Sequence, residues 1–196
     1  MNLSRRTDGR RAVAALEFAL VLPALVLLLL AGTDLTMWFI NKFRLESTAT
    51  AVGNMVAAAN TLPLTAFPAS YCSQASTSLN YFAVASTIAN PLSVCGTTGA
   101  TIISGIANKG GKTSISWQER TGNVAAFPSL VGTAGSAPTL PPGYSLPTSH
   151  NVIVTEIYTG ITPWKFSQAI MPGPGPTSLY AYSIFEPRLG ALPTPQ

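Results

Sequence analysis

Charged side chains are scarce in this chain. Asp, Glu, Lys and Arg make up 9% of its 196 residues, against roughly 25% in a typical soluble domain. The formal net charge of +4 is concentrated at the N-terminus, where Arg5, Arg6, Arg10 and Arg11 stand against Asp8. The remaining residues are close to neutral, so the chain has no basic stripe for phosphate groups and we expect no nucleic-acid partner.

Histidine is scarcer still, because His150 is the single one. A Ser-His-acid group would have to recruit Glu119 or Glu156, and no nucleophile-elbow motif accompanies them. We interpret His150 as a residue that opens a strand. The two cysteines show neither a CxxC nor a paired-histidine spacing, so metal ligands are too sparse for a metal site. We therefore expect no enzymatic activity, no metal and no cofactor.

The chain has one long apolar run, which lies near the N-terminus. Residues 18–33 contain no ionisable side chain, and extending the run back to Ala12 adds one, Glu17. The resulting 22 residues suffice to cross a bilayer core, which takes about 20 helical residues. The arginines before the run place its N-terminal side in the cytoplasm by the positive-inside rule, and Trp38 and Phe39 fall where an aromatic belt would lie.

A cleaved secretory signal is the alternative interpretation of this run. It is disfavoured because Leu29 stands where a small residue is needed before a cut near Ala31. Two residues are unusual for a simple anchor. Pro23 removes a backbone donor and is expected to kink or open the helix. Glu17 is an ionisable group inside the apolar run, which indicates either a functional role or a side chain that reaches back to the interface.

The helical pattern continues beyond the apolar run. A narrow apolar seam with three-four spacing follows, made of Leu35, Trp38, Leu45, Ala49, Val52, Val56 and Ala59. Residues 60–63 read Asn-Thr-Leu-Pro, which is a stop signal. The pattern predicts one helix over residues 13–59, with its first half in lipid. We expect Ala49, Val52, Val56 and Ala59 to pack beneath a sheet, and Leu35 and Trp38 to meet neighbouring subunits.

Beyond the helix, the exported part is predicted to form a small antiparallel sheet. Period-two patterns rich in β-branched residues predict strands over residues 101–107, 113–118, 151–158 and 179–185. Residues 109–112, Lys-Gly-Gly-Lys, predict a hairpin turn. Residues 127–147 and 171–176 are rich in proline and glycine and predict irregular loops, and residues 75–90 favour a short helix. The expected fold class is α+β, a long helix packed on the sheet.

Cys72 and Cys95 both lie in this exported part. An oxidising compartment and an even number of cysteines favour a disulfide between them. The alternative is two free thiols in a bacterium that lacks oxidative folding.

The string RRAVAALEFALVLPALVLLLLAGTDLTMWF resembles the TadE-like family of the Tad (Flp) pilus assembly system, whose members are pilin-like membrane proteins. Ala12 takes the position of the family's usual glycine, followed by a four-residue spacer, Glu17, the aromatic Phe18 and the early Pro23. Residues 152–158 with Pro163 resemble the family's late strand. Residues 185–188, Phe-Glu-Pro-Arg, resemble its terminal signature.

The resemblance implies a processing step and a role for Glu17. A prepilin peptidase would cut after Ala12 and leave Val13 with a free amine. The amine of one subunit could then pair with Glu17 of its neighbour in lipid, next to Phe18, and help set subunit register. The implied partners are the membrane, the prepilin peptidase, other pilin-like subunits and the Tad assembly machinery.

Together these features predict a single-pass protein of the bacterial inner membrane with a periplasmic domain. The expected segments are a basic cytoplasmic leader (1–12), a transmembrane helix (13–33), an exported half-helix (34–60), an α+β domain (61–190) and a disordered tail (191–196). The leading hypothesis is a minor pseudopilin with a structural role in assembly of Tad/Flp, type IVb-like pili. The alternative is an anchored periplasmic binding or envelope protein unrelated to pili.

Overall fold

The computed structural model describes residues 4–60, 62, 80–169 and 175–193, with the backbone alone for residues 4–12 and 169. The chain divides into two compact units. One comprises Met1–Phe39 and Thr162–Pro176, and the other comprises Ile40–Ile161 and Thr177–Gln196. The segment Thr162–Pro176 therefore groups with the first part of the N-terminal helix and not with the sheet that flanks it in sequence.

The first helix, α1, runs without interruption over Ser4–Ala57 and contains Pro23. Its predicted C-terminal end at residue 59 is thus confirmed to within two residues. The last turn is closed by Arg188, whose N–H donates to the Ala57 carbonyl at 2.9 Å. The Arg188 guanidinium also donates to Asn54 Oδ1 at 2.7 Å. These bonds satisfy a helix-end carbonyl and give the predicted terminal Pro-Arg motif a structural role.

A short helix, α2, spans Tyr81–Ala89 inside the predicted 75–90 window. Asn80 caps it, because its side-chain oxygen accepts hydrogen bonds from the N–H groups of Phe82 and Ala83 at 3.0 and 3.3 Å. Asparagine is among the preferred N-cap residues for this reason.

Four antiparallel strands form one sheet in the order β2-β1-β3-β4. The strands are β1 (Gly99–Lys109), β2 (Lys112–Gly122), β3 (Asn151–Ile161) and β4 (Thr177–Phe185). All four predicted strands are confirmed, each two to five residues longer than predicted. Gly110 and Gly111 join β1 to β2 with φ of 61° and 84°, the double positive φ of a tight hairpin turn. The α+β fold class is confirmed.

One face of the sheet packs on α2 and on the part of α1 that belongs to the same unit. This helix-side core contains Leu45, Ala49, Val52 and Val56 of α1, Phe82 and Ala85 of α2, and Ile103, Ile153 and Ile157 of the sheet, all fully buried. Gly53 allows the close approach of α1 to β4, since a Cβ there would meet Ser183 Oγ at 2.6 Å. The Ser183 hydroxyl donates to the Ala49 carbonyl at 2.7 Å.

The opposite face of the sheet is covered by the predicted loop 127–147, which contains neither helix nor strand. Val131 and Leu146 of the loop are buried there in a cluster with Ile106, Ile115, Val152 and Val154. The loop also pairs with β2, because Ile115 N–H donates to the Ser136 carbonyl at 3.0 Å and Gly135 N–H donates to the Ile115 carbonyl at 2.8 Å. The sheet therefore has a covering layer on both faces.

Three of the predictions reach outside the described residues. Cys72 lies there, whereas Cys95 is half-buried and packs against the helix-side core; the Cys72–Cys95 bridge stays a prediction. The loop 171–176 is described from residue 175 onward. The predicted tail 191–196 is described as far as residue 193, and Leu192 packs half-buried against the helix-side core.

The packing of α1 predicts that an aspartate destabilises the protein at a buried position of this helix and is tolerated at an exposed one. Val52→Asp should lower the free energy of unfolding by about 3–5 kcal/mol, since the charge would be buried without a partner. Ser47→Asp introduces the same charge at an exposed position. It should change the free energy of unfolding by less than about 0.5 kcal/mol. Urea unfolding of the full chain in detergent, followed by Trp117 fluorescence with Trp38 and Trp164 replaced by Phe, measures both. Equal midpoints for the two variants would contradict this packing.

Candidate functional site

The predicted processing and register residues all lie on one continuous stretch of α1. Helical geometry places Val13 and Glu17 one turn apart on the same face, about 6 Å along the axis. Both side chains are exposed, as is Phe18. Ala12 lies within the helix directly before Val13. The structure thus brings these four residues together and leaves Val13, Glu17 and Phe18 open to contact from outside the chain.

The apolar run shows its side chains outward on every side of the helix. Among the described residues, one helix is long and apolar enough to cross a membrane, with a mean hydropathy of 2.7 over its most apolar window and none of that window buried. Leu20 is 72% exposed and Leu28 is 70% exposed. Each such side chain gains about 1.5–3 kcal/mol on leaving water. This part of α1 therefore favours an apolar environment that the described residues do not supply.

The end of the run carries a feature that the sequence analysis missed. Asp34, the first residue after the apolar run, is 5% exposed, although most of the helix before it is exposed. Its carboxylate accepts hydrogen bonds from the N–H groups of Phe166 and Ser167 at 3.0 and 2.8 Å, and from the Ser167 hydroxyl at 2.7 Å. We call this arrangement the Asp34 clamp. It fixes the turn of residues 163–167 to α1 within one compact unit.

The clamp also sets the charge state of Asp34. Burial raises the pKa of the carboxyl, but the hydrogen bonds from Phe166 and Ser167 act against it and hold the pKa below its usual value. Hydrogen bonds to the charged form favour that form. Asp34 is therefore a carboxylate at neutral pH, and the clamp is charge-assisted, the stronger class of hydrogen bond.

A second buried carboxylate, Glu156 of β3, holds the covering loop on the sheet. The side chain is fully buried and accepts hydrogen bonds from the Ser129 hydroxyl and, at 2.9 Å, from Leu130 N–H. The Tyr180 hydroxyl donates to it at 3.1 Å. Tyr158 lies 3.4 Å away and donates to the Pro128 carbonyl at 2.9 Å. These bonds join β3, β4 and the start of loop 127–147.

The tyrosines of this cluster are held in the neutral form. Burial raises the pKa of Tyr158 and of Tyr180, and the nearby Glu156 carboxylate raises both further. Their rings are 4.7 Å apart, and Tyr158 also stacks on Phe127 at 5.8 Å. These contacts bury the Glu156 side chain completely. It therefore lacks the solvent access that acid catalysis at a surface needs.

His150 lies directly before β3, as predicted, and its Nδ1 is 3.6 Å from a Glu186 carboxylate oxygen. Both side chains are more than half exposed, so this contact contributes little to stability. Within the described ranges no group of three or more His, Cys, Asp or Glu side chains is placed to hold a metal ion.

Buried Tyr158 and half-buried Tyr180 predict a loss of stability at high pH. The folded pKa of each lies above the unfolded value of about 10, so above that pH the unfolded state releases protons that the folded state keeps. The free energy of unfolding should therefore be insensitive to them below about pH 9 and fall as pH rises past 10. Replacing Tyr158 and Tyr180 by Phe together should flatten this fall, measured by urea unfolding between pH 8 and 11. If the free energy of unfolding fell with pH as steeply in the double variant as in the wild type, the two hydroxyls would ionise equally in the folded and unfolded states.

Comparison with known proteins identifies one part of the chain. Residues 12–53 match the family model described as TadE-like protein, about a fifth of the chain. No curated protein and no solved structure matches the chain significantly. The matched range begins at Ala12, takes in Glu17, Phe18 and Asp34, and ends at Gly53, where α1 packs on β4. The resemblance seen in the sequence is thus confirmed for residues 12–53, the greater part of α1, which is similar to TadE-like proteins.

Proposed function

We propose that this protein is a pseudopilin-like component of Tad/Flp pilus assembly, anchored by α1 in the bacterial inner membrane. The observation that carries the proposal is the match of residues 12–53 to the TadE-like family, over a helix whose apolar half is exposed on all sides. The N-terminal arginines favour a cytoplasmic N-terminus. The sheet and its covering loop are then periplasmic, an environment in which the Cys72–Cys95 bridge could form.

The proposed role is structural and depends on contacts between helices. In lipid, packing and hydrogen bonding drive helix association, because lipid chains are as apolar as the side chains. Small residues such as Ala24 and Gly32 allow close approach, and a Cβ on Gly32 would meet nothing within 4 Å in the chain itself. The exposed span of α1 is therefore the surface we assign to neighbouring pilin-like subunits and the assembly machinery.

Glu17 supplies the polar contact in this arrangement. A prepilin peptidase that cuts between Ala12 and Val13 would leave a charged amine one helical turn from Glu17 of the same chain. A carboxylate at this depth is costly unless it is paired. When subunits stack with an axial offset, the amine of one Val13 meets Glu17 of the next, with Phe18 beside it. Such a pair favours the register in which the amine and the carboxylate of neighbouring subunits meet.

The mature N-terminus separates this proposal from its alternatives. A start at Val13 after co-expression with a Tad prepilin peptidase supports processing. An intact Met1, with the peptidase active on another substrate, would favour an anchored envelope protein unrelated to pili. A start near Gly32 would indicate simple secretion.

We expect Glu17→Ala to insert into the membrane as well as the wild type, or better, and to abolish pilus assembly. Removing the carboxylate removes an energetic penalty in lipid but also the partner of the neighbouring amine. Glu46→Ala is the matched control, since Glu46 lies on the same helix, is exposed, and pairs with Lys42 at 3.3 Å. Membrane fractionation and electron microscopy of pili in the native bacterium measure both effects. Normal piliation in the Glu17→Ala variant would show that Glu17 has no role in assembly and that its side chain only reaches back to the membrane interface.

A further inference from the structure

The Asp34 clamp holds an exposed pair of aromatic side chains at one level of α1. The clamped turn contains Trp164, Lys165 and Phe166, and all three side chains are exposed, Trp164 at 39% and Phe166 at 46%. Here the hydrogen bonds point inward to Asp34 while the aromatic rings remain accessible.

The turn is held in a definite and strained conformation. Trp164 has φ of 58°, in the left-handed region that bulky side chains seldom adopt. Its carbonyl accepts hydrogen bonds from Gln168 N–H at 2.9 Å and from the Ser167 hydroxyl at 3.3 Å. A residue persists in this region when its surroundings fix it, and here the clamp and these two bonds do so. The exposure of Trp164 is thus a product of the fold.

The position of the turn along α1 indicates what covers these rings. Asp34 is the residue that follows the apolar run, so the clamp lies where the run ends. Trp38 and Phe39 follow one turn later, 36% and 46% exposed, with their rings in edge contact at 5.2 Å. Tryptophan and other aromatic residues concentrate at the boundary between lipid and water, and lysine beside them can direct its ammonium to the headgroups.

We propose that the turn of residues 163–167 is a second membrane contact, with Trp164 and Phe166 in the headgroup region of the bilayer and Lys165 directed to lipid phosphates. Asp34 joins it to α1 across 132 residues of sequence. The turn and the part of α1 just after the apolar run then form one interfacial surface, which fixes the depth at which α1 enters the bilayer. This inference rests on the proposed membrane insertion of α1. It commits to the lipid surface as occupant because the surface continues the apolar span.

The experiment uses the full chain in vesicles of phosphatidylethanolamine and phosphatidylglycerol with bromine on the acyl chains close to the headgroup. Three variants retain one tryptophan each, at position 38, 117 or 164, with the other two replaced by Phe. Bromine quenches tryptophan fluorescence on contact. We expect Trp38 and Trp164 to be quenched at least about twofold more than Trp117, because interfacial aromatic residues reach this depth whereas Trp117 packs over Gly105 in the sheet.

Asp34→Asn tests the clamp in the variant that retains Trp164. The amide NH2 would take the place of one carboxylate oxygen, so either Phe166 or Ser167 would lose its acceptor. The turn should then loosen, and Trp164 quenching should fall towards the level of Trp117. Glu46→Gln makes the same chemical change at an exposed site of α1 and should leave Trp164 quenching unchanged. Asp34→Asn in the variant that retains only Trp117 checks that the sheet stays folded.

The outcomes separate the inference from the proposed function. Strong quenching of Trp38 with weak quenching of Trp164 would overturn the interfacial contact, leave the membrane anchor standing and make the turn a contact for a protein neighbour. Weak quenching of both, with the chain washed from the vesicles by carbonate, would overturn the anchor itself. Trp164 quenching that persists in Asp34→Asn would overturn the role given to the clamp.

Discussion

The contact between the second part of α1 and the sheet organises this protein. Ile103, Ile153 and Ile157 form an apolar sheet face, and Val52 and Val56 exclude water from it together with α2. The approach is close because position 53 has no side chain. Ser183 then reaches the Ala49 carbonyl. Without this helix the sheet would expose its inner face, so the α1–sheet contact decides whether a domain forms at all.

The same contact explains how one helix serves two environments. Over residues 13–29 the large side chains are exposed except for half-buried Leu27, as suits a helix surrounded by lipid, while over residues 45–57 a single face is buried in the chain's own core. The two buried carboxylates support this arrangement. Asp34 fixes the turn of residues 163–167 to α1 where the apolar run ends. Glu156 fixes the covering loop to the sheet.

Local pattern was enough to predict the elements of the fold. Period-two patterns located every strand, the Gly110-Gly111 turn identified the hairpin, and the three-four spacing that includes Val52 and Val56 identified the buried face of α1. These signals depend on residues near one another in sequence. The family resemblance rests on the same kind of local signal, and it is confirmed for residues 12–53.

The two carboxylate sites could not be predicted in the same way. Asp34 meets its partners 132 and 133 residues away, and Glu156 meets Ser129 and Leu130 across a proline-rich loop. The sequence shows each acid beside apolar residues, a pattern also found for surface acids. Their roles follow from which distant donors the fold brings to them. For Val13 and Glu17 the reverse holds, because the helix places them together while their proposed partners lie on another subunit.

Residues 45–57 of α1 pack in the core with the sheet, whereas residues 13–33 form the proposed membrane span, so the two parts of this helix should open separately. Hydrogen exchange of the full chain in lipid nanodiscs, followed by mass spectrometry at increasing urea, tests it most directly. Segments that unfold cooperatively share one opening free energy and one dependence on denaturant. The account predicts that residues 45–57 exchange together with β1 and β3 as urea rises, whereas residues 13–33 stay protected by lipid. Rapid exchange of residues 45–57 while β1 and β3 remain protected would contradict it.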